Sequence, residues 1–255
     1  MNVASAILLT MFGTAVGSFL NVCIYRLPLR KSVMWPGSQC PHCETPVKPY
    51  DNIPIVAYMW LRGRCRNCRA PISIQYPIVE LVTGAVFLAA YLLFDSPALV
   101  IQRLLFACSM IVLFVIDLEH RILPDVVTLP GIVVGFVFSL FLPPGWRDSL
   151  IGIVLGGGSL WLMGEVYFRV RHEEGMGFGD VKMLAMIGAF LGWKLVLLTL
   201  VLSSFIGSLV GVAMIVSNRG DMKYALPFGT FLAVGAVVAA TVGDRMISWY
   251  ASFYV

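Results

Sequence analysis

Long apolar runs dominate the chain, at about residues 3–25, 77–94, 98–116, 126–142, 149–170, 181–191, 195–216 and 226–243. A helix needs roughly 20 residues to cross a hydrocarbon core, and most of these runs meet that length. The pattern predicts an all-α polytopic membrane protein with about eight transmembrane helices. The 181–191 run is the exception: as a helix it covers only about 17 Å. It reads either as a short tilted crossing or as a re-entrant piece. Polar positions gather in one interval, Arg26 to Tyr76, too short to build much of a core alone. Seven prolines between Pro28 and Pro71 argue against long helices there. The predicted organisation is a first transmembrane helix over 1–25, a small soluble domain over 26–76 and a seven-helix membrane part over 77–255.

Composition agrees with the pattern. Apolar residues make up 59% of the 255 positions and charged ones 13%, against about half and a quarter in a soluble domain. The first run is long enough to span and has no basic segment before it, so it reads as a helix rather than a removable signal. Net charge is +4, which suits orientation in a bilayer better than nucleic-acid binding, and no nucleic-acid partner is expected. With the N-terminus outside, fourteen of the Lys and Arg residues fall on inside segments and four outside. The bias places the 26–76 loop in the cytoplasm. A re-entrant 181–191 run would move Arg219 and Lys223 outside, giving twelve against six, so eight crossings fit better. Glycines four apart (Gly13/Gly17, Gly131/Gly135, Gly152/Gly156, Gly207/Gly211) allow close helix approach and carry no functional message. No convincing internal repeat stands out.

Two features carry chemistry. The first is Cys40-Pro41-His42-Cys43, then 21 residues, then Cys65-Arg66-Asn67-Cys68. Two Cys-x-x-Cys pairs supply four thiolates for a tetrahedral zinc ion, and a reducing cytoplasm favours metal over paired disulfides, the alternative. Arg64, Arg66 and Arg69 beside the second pair are expected to help keep its thiolates ionised. Four thiolates fill the shell, so the metal would be structural and His42 a spare. Cys23 and Cys108 read as small buried hydrophobes.

The second feature is a pair of acids. Gly175-Met176-Gly177-Phe178-Gly179-Asp180-Val181-Lys182 lies between apolar runs, and its glycines let backbone turn sharply or pass close to an extended substrate. Asp117, at the inner end of the 98–116 run, matches Asp180 in membrane depth under this topology. A carboxylate there costs about 2.5–3.5 kcal/mol on insertion scales. Sharing one proton, the two would perform aspartic-protease chemistry, one activating water and one polarising a peptide carbonyl. A structural pair or an ion pathway is the competing reading. Asp125 reads as a helix N-cap, and Glu119 and His120 as loop residues. Lys182 is a candidate to tune Asp180 or to snorkel. Glu80 reads as a partner for an arginine. Asn21 reads as interhelical glue.

The Gly177-x-Gly179-Asp180 and Asp117-x5-Leu123-Pro124-Asp125 stretches resemble those of the bacterial type IV prepilin peptidases, which are membrane aspartic proteases. So do Gly17-Ser18-Phe19-Leu20-Asn21-Val22, Arg26-Leu27-Pro28, the four-cysteine loop, Leu61-Arg62-Gly63-Arg64-Cys65 and Tyr76-Pro77-Ile78-Val79-Glu80-Leu81. The resemblance runs in order over about residues 13 to 230. It implies Asp117 and Asp180 as the catalytic pair, with Gly177, Gly179 and Lys182 in the active-site motif. It implies cleavage of prepilin or pseudopilin leaders after a glycine at the cytoplasmic face of the inner membrane. It also implies N-methylation of the new terminus with S-adenosylmethionine; no Rossmann-type glycine fingerprint indicates where that donor binds. Glu80, Asn21 and Asp125 are further candidates for substrate or methyl-donor contact. Rival readings are a peptidase without methyl transfer and a proton-coupled transporter using the acids as a relay.

Overall fold

A computed structural model describes residues 2–173, 177–217 and 226–253. Gly175, Arg219 and Lys223, invoked above, lie outside the described residues. The described chain is helical: α1 (Val3–Arg26), α2 (Val56–Trp60), α3 (Gln75–Leu93), α4 (Pro97–His120), α5 (Asp125–Ser139), α6 (Trp146–Arg171), α7 (Phe178–Val216) and α8 (Phe228–Ala251). Among the described residues six helices, α1, α3, α4, α6, α7 and α8, are long and apolar enough to cross a membrane, while α5 is shorter. The eight crossings expected from sequence thus stand as six long helices with two irregularities, the short α5 and a break within α7.

The break falls at Gly192, whose φ of 79° and ψ of 176° no helix accepts. A Cβ there would also meet the Pro144 side chain at 2.9 Å, so the position needs glycine twice over. The two legs of α7 then run antiparallel along α6. Gly156 packs against both Leu184 and Val196, and Gly152 against both Gly188 and Gly192. The apolar runs at 181–191 and 195–216 are the two legs of this hairpin, joined through Gly192, Trp193 and the exposed Lys194.

The chain divides into two compact units at Val112/Leu113, within α4. In the first unit α1 and α3 pack antiparallel: Gly13 lies against Phe87, and Gly17 against Glu80 and Thr83. The Asn21 Nδ2 donates to the Tyr76 carbonyl at 3.0 Å, which is the interhelical bond expected of it. Among the described residues Glu80 pairs with no arginine. Its Oε2 accepts from the Ile55 backbone N–H at 2.7 Å, holding a β-branched residue at φ 61°, where L side chains are disfavoured. The carboxylate inside α3 therefore ties down the soluble loop.

In the second unit direction alternates. α5 runs parallel to the first leg of α7, with Gly131 against Met186 and Gly135 against Phe190. α6 runs antiparallel to that leg, and α8 antiparallel to the second leg, with Gly243 beside Leu195 and Gly207 beside Phe231. The first leg is enclosed: from Met183 to Gly192 every residue is buried. One end of this unit gathers the last turn of α4, the starts of α5, α7 and α8, and the end of α6. The other end holds the connection from α5 to α6 and the turn at Gly192.

Candidate active site

Asp117 sits in the last turn of α4 and is 4% exposed. A buried carboxylate must find donors. Its Oδ2 accepts from the Thr230 backbone N–H at 2.6 Å and from the Thr230 hydroxyl at 3.0 Å. Thr230 is the third residue of α8, whose N-cap is Pro227. The amides of a first helical turn have no intrahelical acceptor and suit a carboxylate. Gly229 makes the approach possible, because a Cβ there would lie 3.0 Å from the Asp117 carboxyl.

Asp180 is the third residue of α7, after the N-cap Gly177. Its backbone N–H closes the first turn on the Gly177 carbonyl at 3.1 Å. Each acid is thus held at a helix N-terminus, Asp180 on that of α7 and Asp117 against that of α8. Leu123 fills the space near both: its side chain would meet a Cβ at Gly179 at 2.9 Å and one at Gly229 at 3.0 Å. Gly179 therefore makes room for Leu123 on the enzyme itself.

Lys182 is engaged by Asp125. Its Nζ donates to both carboxylate oxygens of Asp125, at 2.7 and 2.8 Å, and lies over the Phe178 ring at 5.3 Å. Asp125 is the first residue of α5 and Pro124 its N-cap, so Asp125 caps nothing; it is an ion-pair partner across two helix starts. Glu119 and His120 complete α4 and are exposed. In this unit the fold collects Asp117, Asp125, Gly177, Gly179, Asp180 and Lys182. Sequence reasoning missed Thr230. Pro227 and Gly229 signal a helix start, but nothing local reveals an acceptor 113 residues away.

The cysteines form a separate cluster in the first unit. The Sγ atoms of Cys40, Cys43, Cys65 and Cys68 all lie within 4.8 Å of one another, and those of Cys40 and Cys68 are 3.8 Å apart. Four sulfurs at about 2.3 Å from a tetrahedral zinc stand about 3.8 Å apart, so the donor set fits the ion. The loop is built twice. Cys40 N–H bonds the Thr45 carbonyl and Cys65 N–H the Ala70 carbonyl; Glu44 N–H bonds Cys40 and Arg69 N–H bonds Cys65; Val47 N–H bonds Ser38 and Ile72 N–H bonds Gly63. Glu44 and Arg69 occupy the same left-handed turn position, at φ 55° and 61°. The knuckles are one motif repeated 25 residues on, a repeat that side-chain identity conceals outside the cysteines and the Pro46/Pro71 pair.

Hydrogen bonds, rather than the neighbouring arginines, set the thiols. Bonds to the Thr45 side chain and backbone bring Cys43 down to about 6. The backbone amides of Cys68 and Asn67 lower Cys65. The Ala70 amide favours the Cys68 thiolate, but desolvation and the adjoining sulfurs outweigh it and push that thiol up to about 11. Arg66 is engaged elsewhere: its Nε donates to Asp51 at 2.8 Å, and its guanidinium lies 5.4 Å from the Tyr50 ring.

Comparison with known proteins agrees with this architecture. Residues 11–94 match the bacterial peptidase A24 N-terminal domain, and residues 104–212 match the type IV leader peptidase family. A prepilin leader peptidase/N-methyltransferase of Aeromonas hydrophila is 36% identical over 270 residues, covering 95% of this chain and 92% of that protein. One from Pseudomonas putida is 35% identical over 264 residues, covering 94% and 91%. One from Myxococcus xanthus is 40% identical over 216 residues, covering 84% and 64%. No solved structure matches. With both halves of the chain matched and relatives above 30% identity over nearly their whole length, the protein belongs to the type IV leader peptidase family.

Proposed function

We propose that the chain cleaves the leader peptides of type IV prepilins or pseudopilins after a glycine, at the cytoplasmic face of the inner membrane, with Asp117 and Asp180 as the catalytic pair. The observation that carries this reading is the meeting of two acids from separate helices at one end of one bundle, each at a helix N-terminus. Asp117, which accepts two hydrogen bonds on one oxygen, is the carboxylate; Asp180 carries the shared proton. Water held between them gives a proton to Asp117 while its oxygen bonds to the peptide carbon. Asp180 passes its proton to the carbonyl oxygen, leaving a tetrahedral diol. Asp117 then protonates the amide nitrogen, the C–N bond breaks, and a diol hydroxyl returns its proton to Asp180. One water is consumed and both acids recover their starting states.

The apolar helix behind a prepilin's cleavage site brings the substrate through the bilayer. The peptide bond must leave its helical hydrogen bonds before attack, and a glycine at the cut makes that unwinding easier. The four cysteines hold a structural zinc ion, with no role in hydrolysis. The new amino terminus is then methylated with S-adenosylmethionine, the activity carried by the names of the relatives.

Purified protein, its Asp117→Asn and its Asp180→Asn variants, incubated with a prepilin in detergent micelles, test the hydrolysis. Each substitution is expected to slow cleavage by roughly 10²–10⁴-fold while zinc content and helicity stay unchanged. A variant that still cuts at the wild-type rate would remove that acid from the mechanism. Including labelled methyl donor separates the two activities: cut but unlabelled product would leave the chain a peptidase alone.

A further inference from the structure

Thr230 lies beyond every stretch in which the sequence suggests chemistry, and the second family match ends at residue 212. Yet it hydrogen-bonds Asp117. Its backbone N–H and its hydroxyl both converge on Oδ2, at 2.6 and 3.0 Å, inside the protein. We infer that Thr230 is a positioning residue for hydrolysis: it fixes the Asp117 carboxylate in the orientation that presents the other oxygen, Oδ1, to the attacking water. The inference rests on the reading of Asp117 as the base.

Three observations support it. Both bonds fall on the same oxygen, so they fix the carboxylate's rotation as well as its place. A single donor would leave the group free to turn about its Cβ–Cγ bond, whose torsion is broad for Asp. The donors also come from a rigid element. Thr230 is 6% exposed in the first turn of α8, and α8 packs along the second leg of α7 as far as Gly243 and Leu195. Finally, the seat is built for a close approach. Gly229 leaves the space beside the Asp117 carboxyl open, and the Leu123 side chain borders the same space.

A helix that merely needed a cap offers a plainer account of the same two bonds, since Asp117 satisfies an otherwise orphaned amide. The two accounts part at the hydroxyl. The amide is satisfied whatever the side chain, so capping alone does not need Oγ1. Orientation does, because Oγ1 is the second point that stops the carboxylate turning.

The experiment measures prepilin cleavage by Thr230→Val, Thr230→Ser and Asp117→Asn beside wild type. Valine keeps the shape and the backbone N–H and loses the hydroxyl. It is expected to lower kcat by about 10–100-fold, the scale of one hydrogen bond to a charged group, with KM within about twofold of wild type. Serine restores the donor and is expected to return kcat to within about threefold. A wild-type kcat in the valine variant would overturn the inference, as would a serine variant no better than valine, because methyl packing would then explain the loss. If the valine protein does not fold, Thr230→Ala takes its place under the same criteria. The Asp117→Asn arm keeps the two readings apart. Full activity there removes Asp117 from the mechanism altogether. An inactive Asp117→Asn beside an undisturbed Thr230→Val leaves the catalytic pair standing and rejects only the role given to Thr230.

Discussion

At the scale of single residues, the acids depend on neighbours that hold them. Lys182 and Asp125 are the plainest case, a cation on α7 gripping both oxygens of an acid on α5. With Lys182 23% and Asp125 56% exposed at their side chains, the pair contributes at most about 1 kcal/mol to stability. Its effect on chemistry should be larger, since a displacement of about 1 Å at a catalytic group can cost about 100-fold. Asp125→Asn and Lys182→Met are each expected to slow prepilin cleavage by about tenfold with little change in melting temperature. The reversed pair, Asp125→Lys with Lys182→Asp, should recover part of the rate. Equal loss in singles and double would show that the charges act separately. The sequence singles out Asp117 and Asp180 as candidates, because an acid at the end of an apolar run is costly enough to demand a reason. Their partners were not legible: the bond from Thr230 and the grip of Lys182 on Asp125 cross 113 and 57 positions of chain, and no local pattern encodes such distances.

Among the elements, the α7 hairpin decides where Asp180 stands. Its first leg is surrounded, and Gly188 packs backbone to backbone against Gly152 of α6. A methyl group at either glycine has nowhere to go, because the obstacle is main chain. Gly188→Ala is therefore expected to destabilise the second unit by about 1–3 kcal/mol, seen as a lower thermal midpoint and a matching fall in cleavage. An unchanged midpoint would show that α6 and α7 can part at no cost. Glycines at four-residue spacing in the sequence announced close packing of this kind, without naming partners. The runs at 181–191 and 195–216 were also visible as separate pieces. What the hydrophobic pattern could not show was that a single glycine at φ 79° reverses the chain between them, since a backbone dihedral leaves no mark in a polarity profile.

Over the whole molecule, the described chain resolves into a unit that carries the cysteines and a unit that carries the acids. The four-cysteine spacing was the clearest message in the sequence; the doubled backbone plan beneath it was hidden, because the hydrogen bonds are made by main chain and the side chains differ. Stripping the metal with a strong chelator should release about one zinc per chain and expose the loop to proteolysis at Arg62, Arg64 and Arg69. Release of no metal would leave the cluster to some other use. Acid should act through the thiols and not through Asp51. The Arg66 guanidinium holds the Asp51 carboxyl below its usual 3.8, so that tie is intact above about pH 4 and opens only as the pH falls further. Asp51→Asn should accordingly leave the pH midpoint of zinc release where it is. The duplication has a wider consequence. Each knuckle contributes two sulfurs and closes its own turn with its own main-chain hydrogen bonds. A chain deprived of one knuckle would still present two thiolates, but two cannot saturate the ion. The clasp that now closes within one molecule would then have to be closed by a second, making the metal a bridge between chains.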